Sequence, residues 1–297
     1  MIKRLRKTLK TLNKITIIGV GLIGGSFAQG IRQAGLASEI VGFGRNTKNL
    51  ETAVDLGVID SYTDKIEAAV SDSDLVFLAV PLGAMESTMA LMKPFLADKT
   101  IITDGGSAKS SVIAAAKNVF GDLPKNFVPG HPIAGKEQSG VEAAEADLYV
   151  NHRVILTPTP QSAEGAVETV NALWRALGAN VEIMSAEQHD EIFAATSHLP
   201  HLLAFALVDL LNEHQELGDV FQYTAGGFKD FTRIASSDAE MWRDISVYNS
   251  EAIVKWLKNY AESIQTLSQL VESQDKDGLY KLYKDAKTAR DTHLLKK

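Results

Sequence analysis

The sequence predicts an α/β fold over its first 184 residues, a doubly wound parallel sheet, followed by an all-helical half over 185–297. Three observations predict it. Short β-branched apolar runs alternate with helical segments as far as Met184; a glycine cluster closes the first of these runs; beyond Ser185 strand signals give way to long helical patterns.

In chain order, Ile15 to Gly19 reads as a strand and Leu22 to Ala34 as a helix. Glu39 to Phe43, Leu75 to Val80 and Thr100 to Thr103 read as further strands, with helical composition at Lys48 to Leu56 and Leu82 to Leu96. These apolar runs are nearly continuous, as strands covered on both faces require. Phe127 to Pro129, Val154 to Thr157 and Val181 to Met184 complete the strand candidates, the last two separated by a helix over Ala163 to Leu177. Ser185, with Gln188 three residues on, has the spacing of a capping box and marks the start of the helical half. The organisation expected is a basic tail over 1–13, an α/β domain over 14–184 and a helical domain over 185–297.

With 45% hydrophobic and 23% charged residues, the 297-residue chain has the balance of a globular protein with a substantial core. No apolar run reaches the roughly 20 residues of a membrane span. The lack of cysteine excludes a disulfide scaffold, a thiolate nucleophile and a thiolate-bound metal. A net charge of −7 argues against a nucleic-acid partner. The basic cluster Lys3, Arg4, Arg6, Lys7 and Lys10 is followed by no apolar segment, so a solvated tail and a cytoplasmic location are expected.

Gly19-Val20-Gly21-Leu22-Ile23-Gly24 is a G-x-G-x-x-G after a strand and at the mouth of a helix. Gly19 permits the turn, Gly21 admits a pyrophosphate to the backbone and Gly24 allows close helix–strand packing. Leu22 and Ile23, with their helix's free N–H groups, then face the phosphates. An NAD site would end the second strand in a carboxylate, but Gly44 stands there and Arg45 follows. That removes repulsion of a 2′-phosphate and offers it a guanidinium, so NAD+ or NADP+ is expected with a lean towards NADP+. Val80 and Pro81, at the end of another strand, join the expected cofactor contacts.

Asp104-Gly105-Gly106-Ser107-Ala108-Lys109 and Gly130-His131-Pro132-Ile133-Ala134-Gly135-Lys136-Glu137 each follow a strand, on the edge where open α/β sheets bind ligands. His131 reads as a loop histidine placed to meet a substrate. In the helical half, His189-Asp190 precedes Ser197-His198-Leu199-Pro200-His201. Pro200 is expected to kink or break its helix and turn His198 and His201 into a cleft. Lys229 and Arg233 fall on one helical face at i,i+4, a pairing that suits an anionic ligand.

Together GVGLIGGS, DGGSAK, GHPIAGKE, TSHLPH, GGFKDFTRIA and MWRDI resemble the prephenate/arogenate dehydrogenase family, in the family's order from Gly19 to Asp244. The resemblance implies a Rossmann-type domain and a helical dimerisation domain. It implies hydride transfer from C4 of a cyclohexadienol to a nicotinamide, with loss of the C1 carboxylate as carbon dioxide, on the route to tyrosine. It implies that His131 acts as general base on the C4 hydroxyl and that Ser107 contacts both hydroxyl and nicotinamide. Arg233 would anchor a substrate carboxylate, supported by His201 and Lys229, with His189, His198, Glu137 and Trp242 lining the cleft. Prephenate is the substrate expected, arogenate the alternative, with a homodimer and no metal. A β-hydroxyacid dehydrogenase would use a lysine of the helical half instead, and a non-catalytic NAD(P)-sensing protein would lack the reactive positions, which are present here.

Overall fold

A computed structural model describes residues 10–136, 138–214, 216 and 218–295. Its first layer is built from β1 (Leu12–Ile18), α1 (Leu22–Ala34), β2 (Ala37–Phe43), α2 (Thr47–Asp55), β3 (Ser61–Thr63), α3 (Ile66–Val70), β4 (Leu75–Leu78), α4 (Met85–Met92), β5 (Ile101–Asp104), α5 (Lys109–Phe120) and β6 (Phe127–Val128). The six strands form one parallel sheet in the order β3-β2-β1-β4-β5-β6. Ile15 lies between Ile40 and Leu75 in register, and all three are buried. Strand order reverses between β1 and β4, which opens a crevice at the carboxyl ends of these strands.

Two elements differ from the sequence reading. β3 went unread, because Ser61–Thr63 is three residues of polar edge strand without an apolar run. The chain after β6 also leaves the parallel sheet. β7 (Gly130–Ile133), β8 (Arg153–Leu156) and β9 (Asn180–Ile183) form a second sheet, antiparallel between β7 and β8 and parallel between β8 and β9. His131, expected in a loop, is therefore a strand residue paired with Ile155.

α6 (Glu164–Ala176) closes the core. Its Trp174 packs against Phe27, Phe77 and Tyr149 with ring centroids 4.8, 5.8 and 4.9 Å away. Tyr149 spends its hydroxyl on the Ile23 carbonyl at 2.6 Å, tying this layer to the first turn of α1.

Ser185 caps α7 (Ala186–Phe193), its hydroxyl accepting from the Gln188 N–H at 3.1 Å. The helical path does not break at Pro200. It passes through a π-helical turn, Ala194–His198, into α8 (Leu199–Glu213), with Pro200 in the first turn. A widened turn accommodates the missing N–H and the bulk of the ring, so the kink expected from Pro200 is replaced by a bulge. Contrary to the sequence reading, the helical path over Ala186–Glu213 is long and apolar enough to cross a membrane, and 22% of its apolar window is buried. Two of its polar residues, His189 and Asp190, bond to the α/β half, as described below. Then follow α9 (Gly226–Thr232) and α10 (Ala239–Tyr248).

By compactness the chain divides after Ser250. The second unit, from Glu251, consists of α11 (Ser250–Glu272) and α12 (Lys276–Leu294), a helical hairpin turned at Gln274, with Asp275 capping α12 by accepting from the Gly278 N–H.

Candidate active site

The glycine loop fits a dinucleotide. Gly19 has φ +93°, and a Cβ there would lie 2.4 Å from the Ala79 carbonyl oxygen. A Cβ on Gly24 would lie 2.1 Å from the Gly19 oxygen, whereas one on Gly21 would meet nothing within 4 Å. Gly19 and Gly24 thus serve the protein's own packing, and Gly21 keeps open the space above the α1 N-terminus. No side chain caps that terminus and no acidic residue occupies its first turn, so its N–H groups and positive dipole end suit an anion. Val80 and Pro81 follow β4 at the same edge, Val80 within reach of Gly19. At the end of β2, Asn46 caps α2 and Asn49 donates to the Val20 carbonyl, while Arg45 is exposed and no carboxylate is present at Gly44.

A chain of three polar side chains lies beyond this loop. The Asp190 carboxylate accepts from Nδ1 of His189 at 2.8 Å. A neutral imidazole carries one N–H, so Nε2 of His189 is left as an acceptor. That nitrogen lies 2.8 Å from Nδ1 of His131 and takes its proton in a hydrogen bond. The logic runs one way and leaves Nε2 of His131 with a free lone pair.

Asp190 is itself held by Rossmann-half backbone. The N–H groups of Lys109 and Ser110, in the first turn of α5, donate to its two oxygens at 2.7 and 2.8 Å. Burial favours the neutral acid, but the hydrogen bonds from His189, Lys109 and Ser110 outweigh it and lower its pKa. His189 is fully buried and burial lowers its pKa, against the pull of Asp190. His131 keeps partial exposure, yet desolvation first, then repulsion by His189, Lys109 and His198, hold its pKa well below 6.5. Both rings are neutral near pH 7, as the tautomer chain requires.

His198, 1% exposed, accepts at Nδ1 from Asn249, whose amide also donates to the Asp190 carbonyl. Protonation there would set N–H against N–H, and burial with the nearby His189 lowers its pKa to about 4. The folded state takes up this proton only near pH 4, whereas the unfolded chain does so near 6.5. The folded pKa lies below the unfolded one, so stability is lost as pH falls from 6.5 towards 4. His198 alone accounts for ~3 kcal/mol of that loss. Urea unfolding at stepped pH is expected to show this slope, and His198→Gln to flatten it; an unchanged slope in the variant would remove His198 as its source.

Trp242 of α10 stacks on His201 at 3.9 Å and meets His198 edge-on at 6.1 Å. Its buried indole N–H has no partner among the described residues. His201 donates through Nδ1 to the Ser197 carbonyl at 2.8 Å; burial lowers its pKa, and the cationic Arg233 adds to the effect. Arg233, exposed at the close of α9, is thereby placed beside His201. It opens a 3₁₀ turn, so the uniform α-helical face expected with Lys229 ends there, and Lys229 stands exposed on α9. Ser107 is partly exposed between β5 and α5; the hydrogen-bond partner of His131 Nδ1 is His189. Glu137 lies outside the described residues.

The structure therefore joins His131, His189 and His198 in one hydrogen-bonded neighbourhood, with His201, Trp242 and Arg233 in another beside it. Sequence reasoning missed Asp190, Lys109, Asp104 and Asn249. The His189-Asp190 pair was legible as a dipeptide, but nothing local shows that Asp190 caps a helix 81 residues earlier. Among the described residues, no group of three or more His, Asp or Glu side chains is arranged to hold a metal ion.

Residues 27–183 match the family domain described as prephenate dehydrogenase, nucleotide-binding domain, and 185–285 match prephenate dehydrogenase, dimerization domain. A cyclohexadienyl dehydrogenase of Zymomonas mobilis is 36% identical, covering 93% of this chain and 94% of its own. A prephenate dehydrogenase of Bacillus subtilis is also 36% identical, over 93% of this chain and 75% of its own. The crystal structure of prephenate dehydrogenase from A. aeolicus, in complex with hydroxyphenyl propionate and NAD+, superposes with a TM-score of 0.89 at 39% identity, covering 95% and 98% of the two chains. Arogenate dehydrogenase of Synechocystis follows at 0.80 and 26% identity, covering 95% and 100%. With family matches along both halves and a relative 36% identical over nearly all of both chains, the chain belongs to the prephenate dehydrogenase family.

Proposed function

We propose that this chain converts prephenate to 4-hydroxyphenylpyruvate and carbon dioxide, passing hydride to NAD(P)+, as a step towards tyrosine. The observation that carries the reading is the hydrogen-bonded order Asp190–His189–His131, which leaves a neutral imidazole with its outer nitrogen free. Bound nicotinamide supplies the hydride acceptor. Gly21, Leu22 and Ile23 would hold the pyrophosphate end, on a turn that Gly19 and Gly24 shape, and Val80, Pro81 and Ser107 would contact the remainder of the cofactor.

Nε2 of His131 takes the proton of the C4 hydroxyl as the substrate loses hydride from C4, which leaves a ketone. The C1–carboxylate bond then breaks, its electron pair completes the aromatic ring, and His131 returns the proton to the ring oxygen. No net proton is consumed. His189 and Asp190 hold the imidazole in the tautomer that can do this. Arg233, with His201 and Lys229, binds the substrate's anionic end, and His198 and Trp242 wall the cleft. Arg233→Gln is expected to raise the KM for prephenate about 10- to 100-fold with little change in kcat, since a charge-assisted hydrogen bond contributes about 1.5–3 kcal/mol. A lowered kcat at unchanged KM would move Arg233 out of the anchoring role.

Prephenate is preferred to arogenate because the relatives named for it share more sequence with this chain. Gly44 and Arg45 favour NADP+ over NAD+ by removing a carboxylate and adding a cation. The helical segment from Ser185, matched to a dimerization domain, pairs two subunits. Steady-state formation of reduced nicotinamide with prephenate or arogenate, each with NAD+ and with NADP+, tests the reading. Turnover of prephenate, faster with NADP+, is expected. Turnover with arogenate alone would change the substrate, and none in any combination from protein that binds dinucleotide would overturn the proposal.

A further inference from the structure

Lys109 is the one lysine or arginine among the described residues that is fully buried. Its ammonium donates to the Asp104 carboxylate and, at 2.7 Å, to the Gly130 carbonyl. Asp104, also without exposure, accepts from the Gly130 N–H at 3.1 Å and from the Gly106 N–H at 2.8 Å. Three donors, one of them an ammonium, are aimed at this one carboxylate. Burial lowers the Lys109 pKa, and the Asp104 carboxylate beside it pulls the other way.

Taking two charges out of water is costly, and an apolar pair of similar volume usually serves stability as well or better. The partners of this pair indicate a different use. Both backbone polar groups of Gly130 are held by it, and Gly130 precedes His131. The Gly106 N–H that it holds precedes Ser107. At the other end of the same residue, the Lys109 N–H donates to Asp190. Lys109 therefore grips both ends of the relay, at Gly130 through its side chain and at Asp190 through its main chain.

We propose that Lys109, paired with Asp104, is a positioning residue for the His131 base, and that its charge sets the pH range over which that base works. The proposal rests on the reading of His131 given above. The charged and titratable groups around the base are His189 and Asp190 on α7, His198 in the π turn, Lys109 on α5 and Asp104 on β5; those facing Lys109 are Asp104 and Asp190. The ammonium repels a proton on His131, and the Asp104 carboxylate next to it partly offsets that repulsion. Removing one or the other must move His131 in opposite directions.

The test is the ring titration of His131 by NMR, alongside the acid limb of kcat/KM, in Lys109→Gln, Asp104→Asn and the double variant. Lys109→Gln is expected to raise the midpoint by about one pH unit and Asp104→Asn to lower it by about half a unit. The double variant buries no unpaired charge and so keeps the fold if a single variant fails; its midpoint is expected to rise by a smaller step than that of Lys109→Gln. A purely structural clasp would lower the melting temperature and leave the midpoint in place. A midpoint unmoved in the double variant, or moved the same way by both single changes, overturns the proposal. Because the ring titration needs no substrate, it stands or falls separately from the activity assay.

Discussion

Replacing His131 by asparagine is expected to lower kcat about 10²- to 10⁴-fold, the range for loss of a general base. Asparagine makes this a specific test. Its amide N–H can still donate to Nε2 of His189, so the relay behind it keeps its order. Its backbone can keep the ladder with Ile155 on β8. What disappears is the basic nitrogen. Dinucleotide affinity, which depends on the glycine loop, is expected to stay within about threefold of the parent. Steady-state kinetics with titration of cofactor fluorescence would check both halves. A kcat within tenfold of the parent would remove His131 from the chemistry, and a parallel loss of cofactor affinity would mean that the substitution had disturbed the fold.

Asp190→Asn is expected to be nearly as damaging although residue 190 need not touch substrate. The carboxylate accepts from three N–H groups, of His189, Lys109 and Ser110. An amide has one acceptor oxygen, so its NH₂ must face at least one of those donors. If His189 yields, its proton moves to Nε2, His131 must accept at Nδ1, and the outer nitrogen of His131 becomes an N–H. The base is then in the wrong tautomer with its geometry intact. Where an aspartate orients a catalytic histidine in this way, its amide costs up to about 10⁴-fold in rate. A kcat loss of about 10²- to 10³-fold is expected here, with substrate KM little changed. If a backbone N–H is left unpaired instead, stability falls by about 1–3 kcal/mol. Kinetics and urea unfolding on the same preparation separate the two. Activity within threefold of the parent would show that the tautomer order is not needed.

These two predictions differ in how far the sequence could lead to them. His131 stands inside a motif and was legible from GHPIAG, though as a loop residue. The antiparallel pairing that makes it a strand joins residues more than twenty positions apart, and Pro132 within the run hid the strand signal. Asp190 carried a signal only as the neighbour of His189. Lys109 and Asp104 were read as members of one motif, and neither composition nor spacing says that both lose all contact with water. Pro200 was legible as a disturbance of the helix, but whether a disturbed helix breaks or widens depends on what packs around it.

The sequence by itself determined the parts whose physics is local. Alternating apolar runs and helices define a parallel sheet; Gly24 sits where any side chain would collide with the Gly19 carbonyl five residues earlier; Ser185 supplies the acceptor that starts α7. Only the tertiary structure decided the order of the relay. Asp190, His189, His131 and Lys109 meet through hydrogen bonds that span 58 and 81 residues, and which ring nitrogen carries a proton follows from those partners. A tautomer or the charge state of a buried pair is a property of the surrounding donors and acceptors, which a single residue does not carry with it.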